Sequence, residues 1–424
     1  MDVYTQLVQN VAIPKMARCE QVFENPTIVP EAIPDTILEQ LHRGGYDALV
    51  KPGMSVAIPC GSRGIHNIAI IIKTVVDFCK SRGAQPFVFP AMGSHGGATA
   101  EGQMEIVNGL GVTEQSVGCP IRSSMEVVPI GTTEEGHTVF IDKYAAEADG
   151  IILIGRVKPH TAFSGQYESG LMKMMTIGLG KQHGAEVCHK AGFKHMAHLV
   201  PLFGEVILNN ANILFGIAVL ENAYGATAYL HAIHREDIPQ VEPKLLLRAK
   251  ELMMEIYIKN IDVLIVDKIG KDMSGDGADP QVTGAFLTPY AHGGIQATRR
   301  VVLDLTDATH GNACGMGTFD ATTRRLFEKL DLRLTYPNAI TCTELKAAKI
   351  PMVMECDRDC IAVALKTANE MDEKNPRVIR IKNTMELTEI LISEALIPEA
   401  QAHPKMKVAG APQELPFDEN GNLW

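Results

Sequence analysis

A chain of 424 residues, 46% hydrophobic and 21% charged, carries enough apolar material for two or three cored domains and is not disordered. Its formal net charge of −11 excludes a general binder of nucleic acid or anionic membrane, because neutralising phosphates takes a basic surface. The opening MDVYTQLVQN has neither the positive nor the apolar segment of a signal peptide, and the longest apolar run, 213–220, is far short of the ~20 residues that span a bilayer. The cysteines are odd in number, 9, and scattered, which fits reduced thiols in a cytoplasmic protein rather than a disulfide framework. Cys356 and Cys360 do not form a C-x-x-C and read as structural.

In chain order, an extended entry and a helix over 30–42 precede the first core strand, 55–59. That strand runs into Cys60-Gly61-Ser62-Arg63-Gly64 and then a helix over 67–82. Small residues and an arginine between strand and helix make either an anion site or a plain turn with a surface arginine. A second strand, 86–90, leads into Gly93-Ser94-His95-Gly96-Gly97, with Thr99 as N-cap of a helix to about 108. Short strands around a Gly-rich turn follow over 117–142, then a short helix over 144–148 and a buried strand over 150–154.

Beyond that strand lies the densest stretch of chemistry in the chain. It holds Lys158, Pro159 and His160, a loop with Ser164, Gly165, Ser169 and Gly170, a Met-rich segment, and a second Gly-rich turn with Lys181 and His183. Histidines and lysines at the carboxyl end of a strand sit where open α/β sheets bind ligands. His195 and His198, three apart, resemble a metal-binding helix pair but lack its acidic partner.

A helix over 195–209, a strand over 213–220 and a helix over 239–259 complete the first half. A break near 258–260 opens the second. There the strand 263–266 runs into a loop, 267–280, that carries Lys268, Lys271, acids and glycines. Further strands are expected over 301–305, 351–354 and 378–381, and helices over 322–330, 359–370 and 385–396, ahead of an irregular Pro-rich tail from 397. Alternating strands and helices imply an α/β fold: two α/β domains, 1–258 and 259–424, with parallel or mixed sheets flanked by helices and a site expected in the cleft between them.

The motifs resemble the nickel-dependent lactate racemase superfamily over most of the chain, most strongly in 55–190. The residues that carry the resemblance are Gly93-Ser94-His95-Gly96, His160 before Phe163-Ser164-Gly165, and His183-Gly184-Ala185-Glu186. The resemblance implies a racemase or epimerase of a 2-hydroxy acid that works by reversible hydride transfer to a nickel-pincer nucleotide. His95 and His160 would be the alternating acid and base, and His183 the nickel ligand. Arg63 and Ser62 would hold the substrate, with Lys271, or less directly Lys268, reaching it from the second domain. Two imidazoles titrating near neutrality suit that chemistry, and nickel accepts imidazole nitrogen beside sulfur.

Two positions depart from the family pattern. The lysine that holds the cofactor covalently in lactate racemase is replaced by Glu168, and the acid ahead of the strand-end arginine by Cys60. A noncovalent cofactor contacted by Ser164, Gly165, Glu168, Lys173 and Lys181 is therefore expected, with Lys173 or Lys181 as the alternative attachment point. Lactate specificity is not expected to carry over. Two other classes stay open: a metal-dependent lyase or hydrolase of a hydroxy acid, and a non-enzymatic carrier of the cofactor or of an anionic metabolite. The expected partner is a small anionic substrate, and a homo-oligomer is compatible with the sequence.

Overall fold

The computed structural model describes residues 3–424. The chain packs as two compact units, Glu24–Met253 and, together, Met1–Phe23 and Met254–Trp424. The opening segment, expected with the amino-terminal domain, thus belongs with the carboxyl-terminal one. The cause is backbone pairing: β1 (Met16–Gln21) lies antiparallel between two strands from the end of the chain.

The unit Glu24–Met253 is built on β2 (Ser55–Cys60), β3 (Gln85–Pro90), β6 (Gly150–Arg156), β7 (Ile213–Glu221) and β8 (Thr227–His234), in the order β3-β2-β6-β7-β8. The first four are parallel, and β8 closes the edge antiparallel to β7. The apolar runs noted above become strands buried on both faces, as parallel sheets require. Alternate residues feed separate cores: Ala57, Phe87, Ile151 and Leu153 on one face, and Ile58, Val88, Ile152 and Ile154 on the other, under the helix Ile68–Ser81. A hairpin of β4 (Val127–Thr132) and β5 (Thr138–Asp142) fills the expected Gly-rich region.

The other unit holds an 8-stranded mixed sheet in the order β12-β11-β10-β9-β13-β14-β1-β15. Here β9 is Asn260–Ile269, β10 Gln296–Leu305, β11 Ala321–Thr323, β12 Met352–Met354, β13 Val378–Ile381, β14 Glu389–Ser393 and β15 Met406–Gln413. The strands from β12 to β13 run parallel, and the rest alternate in direction.

Two expectations fail in this unit. The segment 385–396, expected as a helix, is β14 followed by the short turn Glu394–Leu396. Ile390 and Ile392 are buried two apart, a strand period, and the backbone pairs with β1. The tail is not irregular either: it forms the helix Ile397–Ala402 and β15. Among the described residues, no helix is long and apolar enough to cross a membrane.

Candidate functional site

Strand order positions the site. The chain leaves β2 for β3 on one side and later enters β6 on β2's other side. The loops after β2, β3 and β6 therefore meet at a topological switch point, the place where open parallel sheets bind ligands. Those loops carry Ser62 and Arg63, His95, and Lys158 with His160.

His95 stands on a solvent-accessible loop, and its Nδ1 pairs with the hydroxyl of Ser62. Its pKa is lowered by burial, then by Arg63 and Lys173. Ser62, expected to touch substrate, orients this imidazole. The glycine after His95 has a backbone role as well: Gly96 has φ +66, and a Cβ there would lie 2.5 Å from the backbone of Gly102 and Gln103. Only glycine lets the loop close onto the helix Ala100–Gly109, which Thr99 caps through the Gly102 amide.

Beneath that loop lies a buried polar network. The Gln103 amide group donates to the carbonyls of Gly93 (2.9 Å) and His95 (3.2 Å). Lys181 donates to the Gln103 side-chain oxygen (3.1 Å) and to the Pro90 carbonyl (2.5 Å), and pairs with Asp142 at 3.3 Å. Lys181 and Asp142 are both fully buried. Lys181, expected at the cofactor, thus has its ammonium engaged by the end of β3, by Gln103 of the helix Ala100–Gly109 and by Asp142 of β5.

His160 is half-buried and packs against Phe163 at 4.5 Å between ring centroids. Its pKa is lowered well below the ordinary range by burial, then by Lys173, Lys158, His189 and Arg63. The Ala162 amide donates to its Nδ1 at 3.0 Å. Glu168 is buried and accepts from the His160 amide (2.7 Å), the Gly165 amide (3.3 Å) and the Lys250 ammonium (2.7 Å). Glu168, expected at the cofactor, thus accepts three donors from within the protein. Gly165 is set by packing, since a Cβ there would lie 2.9 Å from Ala197.

Lys173 ends the short helix Leu171–Lys173, which runs into a π-turn, Met174–Leu179. Burial, then Arg63 and Lys158, push its pKa down to about 7. Arg63 and Lys173 thus act on both His95 and His160, which places the imidazoles and the cations in one neighbourhood. At the start of the loop, Cys60 is buried and its thiol is pushed up to about 12 by that burial. It stays a neutral thiol and cannot stand in for an acid.

His183 lies on the helix Lys181–His189, exposed, with its ring edge-on to Phe140 at 4.5 Å. His189, on the same helix, is the histidine whose charge bears on His160. His195 and His198 belong to the helix Phe193–Asn210, where His198 pairs with Glu135 at 2.5 Å on the surface. Among the described residues, no three His, Cys, Asp or Glu side chains form a metal-binding group. Lys268 and Lys271 belong to the other unit. There Lys268 lies over the Trp424 ring at 5.9 Å, and Lys271 donates to the Gly275 carbonyl at 2.5 Å.

Sequence reasoning missed Gln103, Asp142, Lys250 and the role of His189. None carries a local signal, because each meets its partner only through the fold.

Fold and site together define an α/β protein with paired histidine loops over a cationic sheet end. Residues 6–199 match the lactate racemase N-terminal domain family, a stretch that includes His95, His160 and His183. Over that stretch the chain is similar to this family. No curated protein matches it. Among solved structures, the lactate racemase apoprotein from Thermoanaerobacterium thermosaccharolyticum is 16% identical, with 72% of this chain and 71% of that chain covered and a TM-score of 0.45. A Thermotoga maritima protein of known crystal structure is 12% identical, with 87% and 99% covered and a TM-score of 0.49.

Proposed function

We propose that this chain is a racemase or epimerase of a 2-hydroxy acid. The observation that carries the reading is the meeting of the loops after β2, β3 and β6, which bring Arg63, His95 and His160 to one end of the sheet; Arg63 and Lys173 lower the pKa of both imidazoles. Inverting a carbon that bears a hydroxyl calls for proton transfer from either side, and a carboxylate substrate calls for the cations. His95, steadied by Ser62, and His160 take and return the hydroxyl proton. Arg63 grips the substrate carboxylate.

The residues fit a nickel-pincer nucleotide held without a covalent bond. His183, exposed on its helix, would offer one imidazole to the metal, and the charge of Lys173 and Lys158 would suit a phosphate-bearing group. Glu168 supplies no amine for attachment. When bound, the group would supply the reversible acceptor for the substrate's hydride. Metabolic placement is cytoplasmic in this reading.

The test is co-expression with a pincer-cofactor biosynthesis system, followed by elemental analysis, native mass and chiral chromatography of 2-hydroxy acids. About one nickel per chain, a mass gain lost on denaturation, and conversion of one stereoisomer support the proposal. A nickel-loaded chain that leaves every stereoisomer unchanged refutes it.

A further inference from the structure

Glu168 stands in the loop after β6 with its side chain fully buried. The Lys250 ammonium reaches it from the helix Ile238–Leu252 at 2.7 Å, with the lysine side chain 40% exposed. Every contact given for the carboxylate comes from a donor: the His160 amide, the Gly165 amide and Lys250. The two oxygens therefore span the loop, Oε2 holding His160 and Oε1 holding Gly165 and the lysine. Between those two clamped amides, the chain turns so that the Ala162 amide meets Nδ1 of the His160 ring at 3.0 Å.

That last contact fixes more than direction. An amide N–H donates, so Nδ1 must present its lone pair, and a neutral ring must then carry its proton on Nε2. Protonating Nδ1 would break the contact.

We propose that Glu168, paired with Lys250, is a positioning residue for His160: by clamping the loop at two amides it holds the imidazole in the Nε2–H form, with Nδ1 turned inward. The family position that carries the cofactor-linking lysine here carries the group that sets the tautomer of a candidate acid–base histidine. The charged groups facing His160 favour the same neutral state. They are Lys158 in its own loop, Arg63 after β2 and Lys173 at the end of its short helix; His189 on the helix Lys181–His189 also faces the ring, but burial pushes its pKa down to about 4 and leaves it uncharged near neutral pH. In the resting state His160 accordingly presents Nε2–H to the substrate, and His95 is the base that takes the hydroxyl proton first.

The inference rests on the acid–base role proposed for His160, but its test reads the ring itself. Protein labelled with 15N-histidine is examined by long-range 1H–15N NMR across pH, with His160→Gln assigning the signal. The wild type is expected to show the Nε2–H tautomer. Glu168→Gln keeps the volume, removes the charge and is expected to give mixed tautomers with titration at higher pH. In the loaded enzyme it is expected to lower kcat by about 10- to 100-fold with little change in KM, and Glu168→Asp to recover part of it. If Glu168→Gln does not fold, the tautomer of the wild-type ring decides the proposal by itself. A wild-type Nδ1–H ring, or a His160 signal unmoved by loss of the Glu168 charge in a folded variant, overturns the proposal. The expected ring behaviour in a chain that turns over no 2-hydroxy acid upholds the positioning and refutes the function.

Discussion

Lys173 is the residue whose charge is most finely set by its surroundings. With its pKa near 7, it is a cation below that pH and a neutral amine above it. Affinity for a small dianion such as oxalate should therefore be highest below about pH 7 and fall by up to about tenfold per unit above it. Titration calorimetry from pH 6 to 9 measures this, and Lys173→Met should remove the dependence. An equal slope in that variant would assign the titration elsewhere. His183 allows a second test at this scale: His183→Ala should lower the nickel content of protein loaded with the pincer cofactor. Nickel unchanged after the substitution would remove His183 as the ligand. The histidines and Arg63 were readable in the sequence, because glycines and strand ends mark where side chains meet ligands. Ser62 was read as a substrate contact, and only the fold turns it toward His95.

At the scale of elements, buried acids hold the site's loops and helices in place. Glu242, from the helix Ile238–Leu252, accepts the Met172 amide at 3.0 Å, at the start of the helix Leu171–Lys173. Burial raises its pKa to about 7, and its Oε1 has no hydrogen-bond partner. The folded state then keeps a proton that the unfolded chain releases between about pH 4.5 and 7, so this group makes stability fall as pH rises through that window. Glu242→Gln should flatten the fall and gain on the order of 3 kcal/mol at pH 8, as read by urea unfolding at pH 5 and 8. Equal stability of the two proteins at pH 8 would contradict this. The same packing forbids a side chain at Gly170, where a Cβ would lie 2.3 Å from Glu242 Oε1. Under the His95 loop, Lys181→Met would strand the Asp142 carboxylate and should cost about 3–5 kcal/mol, measured by denaturant midpoint. No local pattern announces either network: Lys181 and Asp142 lie on different elements, and a lysine in a Gly-rich turn reads as a ligand contact until its burial is seen.

At the scale of the whole molecule, the strand order decides which fragments stand alone. Glu24–Met253 holds its own sheet and both apolar cores, so it should unfold cooperatively by itself. A fragment of residues 259–424 lacks β1, which separates β14 from β15, and should be loosened or aggregate through those unpaired edges. Circular dichroism and limited proteolysis of the two fragments compare them. A protease-resistant 259–424 would show that β1 is dispensable.

The sequence by itself determined the α/β class, most of the parallel strands of both sheets and the histidine-bearing loops, because burial on both faces and glycines at strand ends leave local marks. Only the tertiary structure decided that the opening strand joins the last ones and that 385–396 is not a helix. It also decided which buried partners Lys181 and Glu168 meet. Those outcomes depend on pairing and charge contacts between residues distant in the chain, and no local pattern encodes which distant partner a strand or a buried charge will meet.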